Sequence, residues 1–326
     1  MKAKIFSFVR VSEHSNVASV RIAQYLRDTL GLELCWDESI SGQYDILIII
    51  NGAYAFAGSG VLESLAVAIE NSEQVVWVQN DYTVIPPKDE SGAESPFRKA
   101  FRNRHDSGKS AINYWTTCKL MSYPGRAKSG HIVGDKSAYM NWNALTFTKT
   151  NHKPFSDRLL RDVLVYYGSF RKDRVPYFHR YFANPTVSTL ISDLSGRGKF
   201  EDAFQSLYVT HESKFDDVGD FIGECGLGLY LEDKKSHVEF HSPANRFYEM
   251  LGAGLPMVFQ PECMNMMKQA GYDLGGHILW NVNEAPEMMA KKEELYEVQQ
   301  AEWCPRAEQD RVNLGEQLLK AWSELA

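Results

Sequence analysis

Two short stretches carry residue types able to hold an anionic ligand. The first is YYGSFRKDR, residues 166–174, where an apolar run ends in Gly168 and Ser169 and is followed by Arg171 and Arg174. Glycine lets a backbone come close to a ligand, Ser169 offers a hydroxyl and an N–H, and two guanidinium groups at such a turn suit a diphosphate, since arginine makes charge-assisted, often bidentate bonds to phosphate. The second is NRFYEMLGAGLPMV, residues 245–258. Arg246 and Glu249 stand three apart, on one face of a helix. Arg246 can reach a phosphate, and a carboxylate at Glu249, about one turn in, can accept two hydrogen bonds from a ribose diol. Each stretch alone also fits a plainer role, a strand-to-helix turn with two solvated arginines and an intrahelical Arg–Glu pair.

A third stretch is basic and aromatic together. FRKAFRNRHDSGK, residues 97–109, brings Arg98, Lys99, Arg102, Arg104 and Lys109 beside two phenylalanines, and Trp115, Lys119, Arg126, Lys128 and His131 follow. Cations in this density neutralise DNA phosphates, and an aromatic can stack at an extruded base. A solvated charged loop is the alternative meaning of such a run.

These residues need elements to position them. In the first half, KIFSFVRV reads as a strand, and NVASVRIAQYLRDTLG as a helix with Val17, Val20, Ile22, Tyr25 and Leu26 favouring one face and Gly31 as its stop. YDILIIING is a continuous β-branched run, as expected of a parallel strand buried on both faces. GVLESLAVAIEN then reads as a helix and QVVWVQND as another buried strand. Residues 86–110, rich in Pro, Gly, Ser and charge, read as a long loop, and residues 146–160 as an interdomain linker. The second half repeats the alternation and closes in helices. The rhythm predicts an α/β protein of two doubly wound, Rossmann-like domains facing a central cleft, with ligands at the strand carboxyl ends. The expected division is 1–150, 151–305 and a terminal helical segment 306–326 that packs back on the first domain.

Composition narrows the classes. At 326 residues, 44% hydrophobic and 24% charged, the chain is an ordinary globular protein long enough for two cores. The first apolar run is too short for a signal peptide, and no stretch approaches the apolar length of a membrane span. Cys35, Cys118, Cys225, Cys263 and Cys304 are odd in number and scattered, which points to a reduced, cytoplasmic setting without a cysteine metal site. No Asp-x-Asp donor-metal motif is present, so no metal ligands are assigned, although a divalent ion remains compatible. The net charge of −7 argues against a protein that coats nucleic acid but not against a local basic patch.

In this order the motifs resemble the nucleotide-sugar domain of GT-B type glycosyltransferases, and within these the bacteriophage DNA β-glucosyltransferase family, which modifies 5-hydroxymethylcytosine. YGSFR is similar to that family's GGSFR turn and RFYE to its RVWE element. The resemblance implies that Gly168, Ser169, Arg171, Arg246 and Glu249 hold a UDP-sugar, UDP-glucose first among them. The family's second phosphate arginine lies one residue further on than Arg174, so Arg174 departs from the pattern. VVWVQNDYTVIPP looks like the family's strand ending in its catalytic aspartate, which implies Asp81 as general base. VRVSEHSN follows the first strand as the family's acidic loop does, which adds Glu13, flanked by Ser12 and His14. The implied protein is a monomeric enzyme in the cytoplasm of an infected host. It moves a sugar, with inversion, to a hydroxymethylated pyrimidine in double-stranded DNA. The same fold acting on a small-molecule, lipid or glycan acceptor, and a non-catalytic nucleotide- or DNA-binding protein on this scaffold, are the alternatives.

Overall fold

The computed structural model describes residues 1–10, 18–52, 57–80, 95–107, 112–117, 120–122, 130–132, 137–192, 198–204, 207–210, 218–239 and 242–326. It divides into two compact units, Met1–Leu145 with Arg311–Ala326, and Thr146–Asp310.

In the first unit the strands are β1 (Ala3–Ser7), β2 (Glu33–Cys35), β3 (Ile46–Ile50), β4 (Gln74–Gln79), β5 (Ile112–Thr116), a small antiparallel ribbon of β6 (Leu120–Ser122) and β7 (Gly130–Ile132), and β8 (Ser137–Tyr139). The main sheet is wholly parallel in the order β2-β1-β3-β4-β5-β8. Its helices are α1 (Ala18–Leu30), α2 (Ser59–Asn71) and α3 (Pro96–Ser107). Parallel strands covered on both faces need apolar side chains at every position, and β3 (ILIII) is buried along its whole length. Leu47 and Ile49 face one cluster with Trp77, Phe97 and Phe101. Ile46, Ile48 and Ile50 face the other, with Ile22 and Leu26 of α1. Leu314, Leu318 and Ala321 of the terminal helix (Cys304–Ser323) complete that second cluster.

Helix α3 replaces residues 96–107 of the long loop expected over 86–110, and 86–94 and 108–110 lie outside the described residues. Phe97, Ala100, Phe101 and Arg104 fall at helical spacing and are buried. The stripe includes a buried arginine, and the charges between its members mask it in sequence.

The second unit holds a five-stranded parallel sheet. Its strands are β9 (Leu160–Tyr167), β10 (Ser188–Ser192), β11 (Tyr208–Thr210), β12 (Cys225–Tyr230) and β13 (Met257–Phe259), in the order β11-β10-β9-β12-β13. Helices α4 (Val175–Phe182), α5 (Lys199–Ala203), α6 (Val218–Gly223), α7 (Lys234–Glu239) and α8 (Asn245–Gly252) belong to it. The strand order reverses between β9 and β12, so the loops leaving these two carboxyl ends diverge to opposite faces and open a crevice at the switch point. The segment entering this unit is tied to the end of α8: Thr150 N donates to Gly252 O at 3.1 Å, His152 Nε2 lies 2.9 Å from the same oxygen, and Arg158 Nη2 donates to Gly254 O at 3.1 Å.

Candidate functional site

The switch point of the second sheet brings together the two arginine stretches. β9 delivers Tyr166, Tyr167 and the turn Gly168–Arg171, β12 delivers Glu232 and Asp233 just past its end, and α8 delivers Arg246 from its first turn. The start of α8 is set by Tyr230, whose hydroxyl accepts from Ala244 N at 2.9 Å.

Arg246 lies almost buried between two rings, its guanidinium carbon 5.7 Å from the Tyr166 centroid and 5.6 Å from that of Tyr230, which favours a cation there. Nη1 donates to Tyr166 Oη at 3.1 Å and Tyr167 O at 3.3 Å. Nη2 donates to Leu231 O at 2.8 Å and to the Glu232 carboxylate. Arg174 approaches the same carboxylate from the other side, with Nη2 2.6 Å from Oε2, while its Nη1 reaches Tyr166 Oη at 3.4 Å. Its Nη2 is also 3.6 Å from Asp233 Oδ2. Two arginines therefore share one glutamate and one tyrosine hydroxyl. Gly168 permits this, because a Cβ there would run into Arg246 Nη1 and stand 2.9 Å from Tyr166 Oη.

Burial works against the charge of Glu232, but Arg174 and Arg246 outweigh it and hold the carboxyl down at about 2. Burial likewise opposes the charge of Arg246, and Glu232 reverses this, so Arg246 keeps its proton more firmly than a free arginine. Gln260 pins the glutamate's main chain, accepting from Glu232 N at 3.2 Å and donating to Glu232 O at 3.0 Å. The same amide nitrogen lies 3.0 Å from His237 Nε2, and burial lowers the pKa of this imidazole despite the nearby carboxylates. Among the described residues no group of three or more His, Cys, Asp or Glu could hold a metal ion.

Arg171 is exposed and Ser169 half-buried, and neither side chain has a protein partner among the described residues. Glu249 follows Arg246 by one turn and is half-buried.

No protein-family model matches the sequence, and no curated protein sequence matches it. Solved structures do. A variant of T4 phage β-glucosyltransferase in complex with UDP-glucose gives a TM-score of 0.70 at 13% identity, over 100% of this chain and 99% of that one. The T4 phage enzyme in complex with UDP and Mn2+ gives 0.66 at 14% identity with the same coverage. An α-glucosyltransferase in complex with UDP and a 13-mer DNA containing a HMU base gives 0.55 at 13% identity, over 97% of this chain and 95% of that one. The chain has the GT-B fold.

Within this GT-B chain several expected residues fall elsewhere. Arg104, expected at a DNA phosphate, is buried under α2. Its Nη1 donates to Ile69 O at 2.7 Å and Ser72 O at 2.6 Å, and its Nη2 to Glu73 O at 2.5 Å, so it ties α3 to the end of α2. Trp115, grouped with the basic segment, is buried in β5 and its carbonyl accepts from Trp142 Nε1 at 3.1 Å. Arg174 is committed inside the protein, to Glu232 and Asp233. Lys99 is exposed on α3, and Arg98 and Arg102 lie on the same helix. Asp81, Glu13, Ser12, His14, Lys109, Lys119, Arg126 and Lys128 lie outside the described residues. Asp81 is two positions past the end of β4, and the Glu13 segment follows β1.

Tyr166, Glu232 and Gln260 were not among the residues expected at the site. Glu232 carried one usable signal. Like Asn80-Asp81 after QVVWVQ, the pair Glu232-Asp233 closes an uninterrupted apolar strand run, CGLGLYL. An acid at that position faces the strand carboxyl ends, where α/β ligands bind.

Proposed function

We propose that the protein transfers a sugar from a UDP-sugar to a hydroxymethylated pyrimidine in DNA. One observation carries the reading: the GSFR turn and Arg246 meet at the switch point of the second sheet in a chain of GT-B fold. Structures of that fold have been solved with UDP-glucose, with UDP, and with UDP and a HMU-containing DNA. Arg171 and Ser169, with Arg246, hold the diphosphate, and Glu249 takes the ribose. Asp81 accepts the proton of the base's hydroxymethyl group as that oxygen attacks the anomeric carbon. The bond from this carbon to the UDP oxygen breaks, its electron pair leaves with UDP, and configuration inverts. The arginines stabilise the charge growing on the leaving diphosphate. Lys99, with Arg98 and Arg102 on the same helix, neutralises DNA phosphates, and the target base leaves the stack to react. The chain acts as a monomer. No helix among the described residues is long and apolar enough to cross a membrane.

Mass spectrometry of hydroxymethylated and plain oligonucleotides, incubated with a panel of UDP-sugars, tests this directly. A sugar mass should appear on the hydroxymethylated DNA alone. Asp81→Asn should lower the rate by at least about 100-fold, and Arg171→Ala should weaken use of the donor. No transfer from any donor to any DNA would sink the reading, as would wild-type rates in both variants.

A further inference from the structure

All four Nη hydrogens of Arg246 are already engaged by protein acceptors: Tyr166 Oη, Tyr167 O, Leu231 O and the Glu232 carboxylate. A diphosphate can use these nitrogens only if one acceptor yields. Two are backbone carbonyls at the ends of β9 and β12. Tyr166 is wedged by the rings of Phe178, Phe182 and Phe200. Glu232 differs from all three. Its main chain is clamped on both sides by Gln260, yet its carboxylate is held, among the described residues, by the two guanidinium groups alone.

A replacement partner for Arg174 is already in place. Asp233 Oδ2 is buried without a hydrogen bond among the described residues and stands 3.6 Å from Arg174 Nη2. Its other oxygen is occupied, accepting from Ser236 N at 2.8 Å at the start of α7. If Glu232 withdraws, Arg174 retains a counter-charge. The charges also argue for exchange. Arg174 and Arg246 are balanced by Glu232 and Asp233, so the closed cluster carries no net charge with which to draw in a diphosphate.

We propose that Glu232 is an internal counter-anion that the donor's diphosphate displaces from Arg246, and that reclaims the guanidinium when UDP leaves. This rests on the donor reading above. An anion replaces an anion, so the buried arginine is never left uncompensated, a state that would be strongly unfavourable. The competition lowers UDP affinity and speeds UDP release.

Calorimetric titration with UDP compares wild type with Glu232→Gln, which keeps the shape and removes the competing charge. Wild type should bind UDP, and Glu232→Gln should bind it at least about tenfold more tightly, although it melts at a lower temperature. A glutamate that merely held Arg246 in place would give the opposite. Equal or weaker UDP binding by Glu232→Gln, with wild type still binding, overturns the proposal and leaves the donor reading standing. Absence of UDP binding to wild type overturns both. If Glu232→Gln does not fold, a crystal structure of the wild-type UDP complex decides. The Glu232 carboxylate should lie beyond hydrogen-bond reach of Arg246, more than about 3.5 Å away, and a carboxylate still bonded to Arg246 overturns the proposal.

Discussion

Glu232 sits where burial alone would neutralise it, and it stays ionised because two guanidinium groups converge on it. Its ordinary pKa of 4.5 falls to about 2 in the folded chain. A carboxyl whose folded pKa is depressed stabilises the fold above the unfolded value, and that contribution is lost as pH falls through the folded value. The window is therefore pH 4.5 down to about 2. The shift corresponds to stabilisation of about 3 kcal/mol. In Glu232→Gln the arginines lose this partner at every pH, so the variant should be less stable than wild type near neutrality. The gap should close as the pH approaches 2. Urea unfolding of both proteins across that range checks this, and parallel curves would remove Glu232 from its place between the arginines. Only the place of Glu232 at a strand end was legible from the residues alone, not its partners. Arg171 and Arg246 stood out because their spacing suited a diphosphate, but LED after a strand reads as a polar turn. Only the reversal of strand order between β9 and β12 turns that acid toward both arginines.

At the scale of elements, the turn after β9 works because it lacks one side chain. Gly168 leaves room for Arg246 to reach Tyr166 and the Tyr167 carbonyl, a space that a Cβ would fill. Neither neighbour can give way easily: Tyr166 is wedged among phenylalanines, and Arg246 is held at four acceptors. Gly168→Ala should therefore displace Arg246, cost about 1–3 kcal/mol of stability as overpacking does, and weaken UDP binding about tenfold. A melt and a UDP titration of this variant read the two effects, and unchanged UDP affinity would separate Arg246 from the donor. The elements were unevenly legible. Strands β3 and β4 announced themselves as unbroken apolar runs because parallel strands are buried on both faces. Helix α3 did not, since its buried stripe of Phe97, Ala100, Phe101 and Arg104 includes an arginine and is interleaved with Arg98, Lys99 and Arg102. Of the basic residues that read as a DNA-facing loop, Arg98, Lys99, Arg102 and Arg104 belong to a helix, and Arg104 is an internal tie.

For the molecule as a whole, the chain leaves the first unit at residue 145 and re-enters it at 311. The returning segment fills a place in the core. Leu314, Leu318 and Ala321 lie against Ile22 and Leu26 of α1 and the apolar side of β3, and Gln74 Nε2 donates to Leu325 O at 3.0 Å. One face of the first sheet is thus covered by residues 314–321. Two adjacent leucines test this with an internal control, because Leu318 is fully buried and Leu319 is 52% exposed. Leu318→Ala removes core contacts and leaves a cavity, at a cost of about 2–5 kcal/mol, whereas Leu319→Ala should stay within about 0.5 kcal/mol. A chain of two units need not unfold in one step, so a single melting temperature would blur the result. Amide hydrogen exchange resolves it. Leu318→Ala should lose protection in β1, β3 and β4 while β9 and β12 exchange as in wild type. Equal loss in both sheets would mean that the terminal helix supports more than the core it occupies, and no loss in either would mean that the first sheet holds without it.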